Sequence, residues 1–196
     1  MKTLVSAAVL AASFAVLAEE AHKPTAAEQA MMEKYMKAAT PGPEHAAMAK
    51  MAGKWKMTVT SWPAPGAPPA KSEGTSEYTS ILGGRFLQQT AKGSMEGQPF
   101  EGQGLSGFDN VTKEAWGTWV DSMGTGLMTM KGKCPLTSKS CTMKGTMADP
   151  VSGKILTAST TMTMKDENNF VWEMTAPGPG GGKPFKMMQI DYVRAP

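Results

Sequence analysis

Lys54-Trp55-Lys56-Met57-Thr58-Val59-Thr60 sets a large apolar side chain at every second position, with Lys and Thr between. A period of two is the pattern of a strand that buries one face. Nine further strand-like runs follow, centred on residues 77–81, 86–91, 100–108, 115–121, 127–130, 141–147, 155–164, 170–174 and 185–193. Turn-forming groups separate them, among them Gly83-Gly84, Asp109-Asn110, Met123-Gly124, Asp149-Pro150 and the stretch from Gly178 to Gly182. Ten short strands on hairpin-sized links, with no helix between them, predict a mainly β fold. Both an antiparallel up-and-down barrel and a sandwich fit that pattern. A barrel of about ten strands is the expected form, because closure removes exposed sheet edges.

Ahead of this run the period changes. Residues 25–39 are rich in Ala, Glu, Gln, Lys and Met, all good helix formers, and Met32, Tyr35 and Met36 fall on one helical face. Pro41-Gly42-Pro43 stops that helix. A second short one is expected from about Glu44 to Met51, with Gly53 ending it. Residues 19–53 therefore form a segment of one or two short α-helices, and 54–196 the barrel. Residues 1–18 read as a secretory signal peptide. Lys2 is the positive start, residues 4–17 are apolar apart from Ser6 and Ser13, and Val16-Leu17-Ala18 places small residues for cleavage before Glu19. An exported protein, periplasmic or secreted, with no stable membrane anchor is expected. Export permits a disulfide, and Cys134 and Cys141 read as a Cys on each strand flanking a hairpin loop.

The chain carries 18 methionines and a formal charge of +3. So small a charge gives no basic footprint for nucleic acid. Past residue 18, 17 methionines stand against 20 Leu, Ile, Val and Phe together. Met128 and Met130 share a strand face, as do Met162 and Met164. Thioethers select Cu(I), so soft-metal handling is one reading. Core or cavity lining by an adaptable side chain is the other, and the core-like alternation favours it.

Other motifs carry less. Gly102-Gln103-Gly104-Leu105-Ser106-Gly107 matches a dinucleotide fingerprint but lies inside a strand, with no helix after it. Close packing or a bend explains such glycines better. Asn110-Val111-Thr112 is a glycosylation sequon that also reads as a plain turn. His22 and His45 are the only histidines, and neither lies on a strand. A His-based triad or metal site therefore has little material. No catalytic constellation emerges; Asp121-Ser122 shows neither a base nor an oxyanion device. Trp119 and Asp121, two apart, face one side of their strand. If that side is the interior, the carboxylate needs a partner. Arg85 and Arg194 are the only arginines, so one of them is expected to pair with Asp121, Glu173 or Asp191.

Met51-Ala52-Gly53-Lys54-Trp55, Leu82-Gly83-Gly84-Arg85-Phe86, Gly107-Phe108-Asp109, the run from Gly117 to Gly126 and Tyr192-Val193-Arg194 occur in that order. On these motifs, residues 45–194 resemble the domain-of-unknown-function 1579 family, which is similar to lipocalin-like, calycin-type barrels. The resemblance implies a small antiparallel barrel with a helix near one end, and no established reaction. Haem-binding barrels of related shape use a His from the barrel. No His follows His45, and no cofactor is implied. The expected function is non-catalytic binding of a small apolar or amphipathic molecule. Its site would comprise Trp119, Asp121, Arg85, Met128, Met130, Met162, Met164 and Arg194.

Overall fold

The computed structural model describes residues 23–95, 97–150, 152–178 and 181–196. The signal-peptide segment lies outside them. Two compact units divide at Lys37 and Ala38. Helix α1 (Ala26–Ala39) makes up most of the described part of the first, and its last two residues fall in the second. A capping box starts it: Thr25 N–H donates to Glu28 Oε2 at 2.7 Å, and Glu28 N–H donates to Thr25 Oγ1 at 3.3 Å. α1 buries none of its residues.

In the second unit α2 (Pro43–Ala49) precedes ten strands. These are β1 (Gly53–Ser61), β2 (Ala70–Ile81), β3 (Phe86–Met95), β4 (Gln98–Asp109), β5 (Glu114–Asp121), β6 (Met128–Gly132), β7 (Ser140–Ala148), β8 (Ile155–Asp166), β9 (Asn169–Gly178) and β10 (Gly182–Arg194). Each pairs antiparallel with the next, and β10 returns to β1, Trp55 facing Arg194, so the barrel closes. β2 begins well before the expected run at 77–81. Its first half hides from a hydropathy reading because the inward positions are Ser72 and Gly74, not large apolar residues. Gly74 is opposite Gly93, and a Cβ on it would lie 2.9 Å from Met57 Cε. The missing side chain is replaced by a methionine reaching over from β1.

One end of the barrel is filled. Met48 and Met51, at the end of α2, pack with Trp55, Tyr78, Leu87, Phe170 and Tyr192. Trp55 is wholly buried and its Nε1–H donates to Met51 O at 2.9 Å. Its ring meets Phe170 edge-on at 4.8 Å, and Phe170 stacks on Tyr192 at 4.2 Å. His45, also buried, belongs to the helix: its Nδ1 accepts the Gly42 N–H at 3.1 Å. The two ends of the barrel are set by strand direction. The starts of β1, β5, β7 and β9 lie at the α2 end, and Ser61, Asp121, Ala148 and Gly178 at the other.

The disulfide joins Cys134 to Cys141. The expectation of a Cys on each strand needs correcting, since β6 stops at Gly132. Extending the Lys131–Lys144 register nonetheless brings Cys134 opposite Cys141, with Cα atoms 5.3 Å apart. The sequon is a turn. Asn110 Nδ2 donates to Ala38 O and Thr40 O at 3.0 and 2.8 Å, so its amide is already committed. No helix among the described residues is long and apolar enough to cross a membrane.

Candidate functional site

A closed sheet widens with strand number, and about eight strands give an interior that side chains can just fill. Ten strands enclose more, and here many inward positions are small: Gly74, Ala91, Gly93, Ser106, Ala115 and Gly117. The result is a cavity of about 1330 Å³. Common ligand sites occupy roughly 300–1,000 Å³.

Methionines cover much of the wall. Met128, Met130, Met143, Met147, Met162, Met164, Met174 and Met188 all line the cavity. They come from β6 to β10, and several lie over a glycine of a neighbouring strand. A Cβ on Gly145 would stand 2.7 Å from Met128 Cε, and one on Gly117 3.1 Å from Met130 Cε. An unbranched thioether folds into such gaps more readily than a branched side chain. The resulting lining is apolar and able to change shape.

Toward the α2 end the lining turns polar in one patch. Gln89 Nε2 donates to Ser76 Oγ at 3.0 Å and to the Tyr192 hydroxyl at 3.3 Å. Burial pushes the Tyr78 phenol well above the usual tyrosine range and also raises Tyr192. Both therefore stay neutral hydrogen-bonding groups at neutral pH.

At the other end, Trp119 Nε1–H donates to Asp121 Oδ2 at 2.9 Å, and Met123 N–H to Asp121 Oδ1 at 3.0 Å. The Trp119 ring lies across β4. A Cβ on Gly102 would come within 2.2 Å of Trp119 Cζ2, and one on Gly104 within 3.1 Å of Trp119 Cε3. Those two glycines of the fingerprint-like run are thus the bed for an indole. Gly102→Val is expected to push the ring off its bed and cost about 1–3 kcal/mol, the usual range for overpacking. Urea denaturation and a shifted tryptophan emission maximum check this; unchanged emission would show that Trp119 does not rest there.

The Gly53-Lys54-Trp55 motif is explained by the last strand. Gly53 has φ +127°, and a Cβ there would lie 2.9 Å from Arg194 Nη1. The guanidinium sits 4.2 Å from the Trp55 ring centroid and donates to Ala52 O and Lys50 O at 2.9 Å and to Glu167 O at 3.2 Å. A model of the protein family of unknown function DUF1579 matches residues 40–194, a span that holds this clasp and all ten strands. The chain belongs to the DUF1579 family.

No curated protein matches the chain. Among solved structures, Rv2717c from M. tuberculosis is similar over 80% of this chain and 100% of its own, with a TM-score of 0.56 and 12% identity. The S-type phycobiliprotein lyase CPES from Guillardia theta aligns over 80% of this chain and 99% of its own, with a TM-score of 0.49 and 10% identity. The barrel EF1p2_mFAP2b bound to DFHBI aligns over 76% of this chain and 98% of its own, with a TM-score of 0.42 and 15% identity. At such identity, the likeness to Rv2717c speaks to the fold alone.

Seven of the eight expected site residues of this DUF1579 barrel line the cavity: Trp119, Asp121, Met128, Met130, Met162, Met164 and Arg194. Arg85 does not. It sits exposed in the β2–β3 turn, donating to Leu82 O at 3.2 Å. The expected arginine–carboxylate pair is also absent among the described residues. Arg194 is held by carbonyls, Glu173 pairs with Lys186 at 2.6 Å, and Asp191 lies 3.5 Å from Lys165. Asp121 is instead satisfied by an indole and a backbone N–H, which keep a carboxylate in place without neutralising it. Ser122 Oγ accepts the Glu101 N–H at 3.1 Å. Among the described residues neither the Asp121 nor the Ser122 side chain bonds a second titratable side chain. Among the described residues no three His, Cys, Asp or Glu gather as a metal site. The Ser76–Gln89–Tyr192 patch went unread because its members lie on β2, β3 and β10 and share no local motif.

Proposed function

We propose that this protein is a non-catalytic carrier or receptor for a small, mostly apolar molecule held inside the barrel. The observation that carries this is the cavity of about 1330 Å³ with a methionine and aromatic lining. Burying a ligand methylene there gains about 0.8 kcal/mol, so a body of a dozen carbons gains roughly 10 kcal/mol before association costs of about 4 kcal/mol or more. A body of about sixteen carbons reaches the micromolar range only at the low end of those costs. The Tyr192–Gln89–Ser76 group supports the reading by offering one polar contact deep in an apolar site. Export is part of the proposal; the pattern of residues 1–18 and the disulfide support it.

Native mass spectrometry of the protein purified from its host tests both halves. The expected result is a chain beginning at Glu19 that carries a further mass released by organic solvent. The emptied protein should then take up the neutral apolar fluorophore N-phenyl-1-naphthylamine with a blue-shifted emission. A chain with no released mass and no uptake of the fluorophore would end the binding reading. A chain retaining Met1 would end the export reading alone.

A further inference from the structure

We infer that the molecule held in this cavity is a cationic amphiphile: an organic ammonium or related cation on an apolar body, its head seated on Asp121. This rests on the binding reading above and adds the chemistry of the ligand's polar end. The first observation is the state of the carboxylate. Asp121 is half-buried at the end of β5 and lines the cavity, and among the described residues its carboxylate bonds only Trp119 Nε1–H and Met123 N–H. Each oxygen keeps capacity for a further donor, and neither partner carries charge.

The second observation is where the cavity's charges lie. Lys50, Lys139, Lys165, Arg194, Asp166 and Glu167 all border the α2 end. Arg194 is spent on carbonyls, Lys165 lies beside Asp191, and Lys50 and Lys139 are exposed. Among the described residues, the charged ones lining the opposite end are Asp121 and Glu73. Glu73 alternates with the inward Ser72 and Gly74 and is exposed, so it contributes backbone to the lining. Asp121 is therefore the charge that a ligand at this mouth meets, and it is negative. Among the described lining residues an apolar carboxylate entering here meets a like charge and no cation; an ammonium meets a fixed counter-charge in a partly desolvated setting, where a pair is worth more than in water.

The surroundings suit such a head as well. The Trp119 ring beside the carboxylate offers a π face to a cation. Met123 and Leu127, on the β5–β6 connection at the same mouth, are 54% and 53% exposed, an apolar lip next to the charge. An amphiphile can lay its body on that lip and slide inward along Met128 and Met130 while its head stops at Asp121.

Three probes with one tail test this: decylammonium, decanol and decanoate, each below micellar concentration, competing with N-phenyl-1-naphthylamine on the full mature protein. The expected order is decylammonium tightest, decanol next and decanoate weakest, with about tenfold or more between the first two. Asp121→Asn keeps an oxygen for Trp119 Nε1–H. It should bring decylammonium down to within about threefold of decanol measured on the same variant. Equal binding of decylammonium and decanol to the wild type, or decanoate tightest, overturns the inference and leaves the apolar cavity standing. So does an Asp121→Asn variant that binds decanol normally yet keeps the full preference. Binding of none of the three overturns the cavity reading itself. The wild-type order decides on its own if the variant fails to fold.

Discussion

Arg194→Ala is expected to destabilise the protein by about 3 kcal/mol, while Arg85→Ala stays within about 0.5 kcal/mol. The chain has only these two arginines, and the structure gives them opposite tasks. Arg194 gathers three carbonyls from segments far apart in sequence: Lys50 and Ala52 after α2, and Glu167 in the β8–β9 turn. It covers the fully buried Trp55 and needs the side-chain-free Gly53 to do so. A hydrogen bond to a charged group contributes roughly 1.5–3 kcal/mol, and a cation over an indole about 0.5–2 kcal/mol. Arg194 is half-exposed and its contacts share one group and do not add, so the expected loss falls below the sum of these terms. Lys50 caps α2, so the positive charge also sits favourably at a helix C-terminus. Arg194→Lys keeps the charge but cannot fork toward several carbonyls, and is expected to recover less than half of the loss. Urea denaturation with an unchanged m-value checks all three variants. Arg194→Ala unfolding at the wild-type midpoint would show that the clasp contributes nothing.

Much of this barrel is legible in the sequence, for a physical reason. Strands whose inward residues are large, such as Trp55-x-Met57-x-Val59, announce their period. The expectation fails at Ser72 and Gly74, where a neighbour's methionine does the filling, because a single strand cannot show what reaches over it from the next. Gly102 and Gly104 read as close packing and are so, but the same limit hid the partner, the indole of β5. Trp119 and Asp121 could be paired from their spacing alone. Their direct hydrogen bond could not: the carboxylate does have partners, but they are an indole N–H and a backbone amide rather than one of the two arginines. In the Ser76–Gln89–Tyr192 group the Gln89–Tyr192 contact joins positions 103 residues apart and the Gln89–Ser76 contact crosses between strands, so neither leaves a local trace.

Emptying and filling the cavity should move stability in opposite directions. A ligand that binds only the folded state contributes RT ln(1 + [L]/Kd), about 2.7 kcal/mol at a hundredfold excess over Kd. If the proposed carrier role holds, extracting the bound molecule is expected to lower the unfolding free energy by about 3 kcal/mol at such an excess, and returning the extract to restore it. Val59→Trp combined with Met130→Trp places bulk into the void from two facing walls, since Val59 neighbours Ile190 and Ser72 while Met130 lies over Gly117. New apolar surface would contact the lining without displacing packed atoms, a gain of about 1 kcal/mol per tryptophan in the emptied protein. The same bulk obstructs the ligand, so uptake of N-phenyl-1-naphthylamine should weaken about tenfold or more. Denaturant midpoints and fluorophore titration on one set of samples read both signs. If the interior were already packed, the double variant would lose stability instead, by the 1–3 kcal/mol typical of overpacking. A stabilised barrel that no longer takes the fluorophore is the outcome that an empty, ligand-sized interior requires.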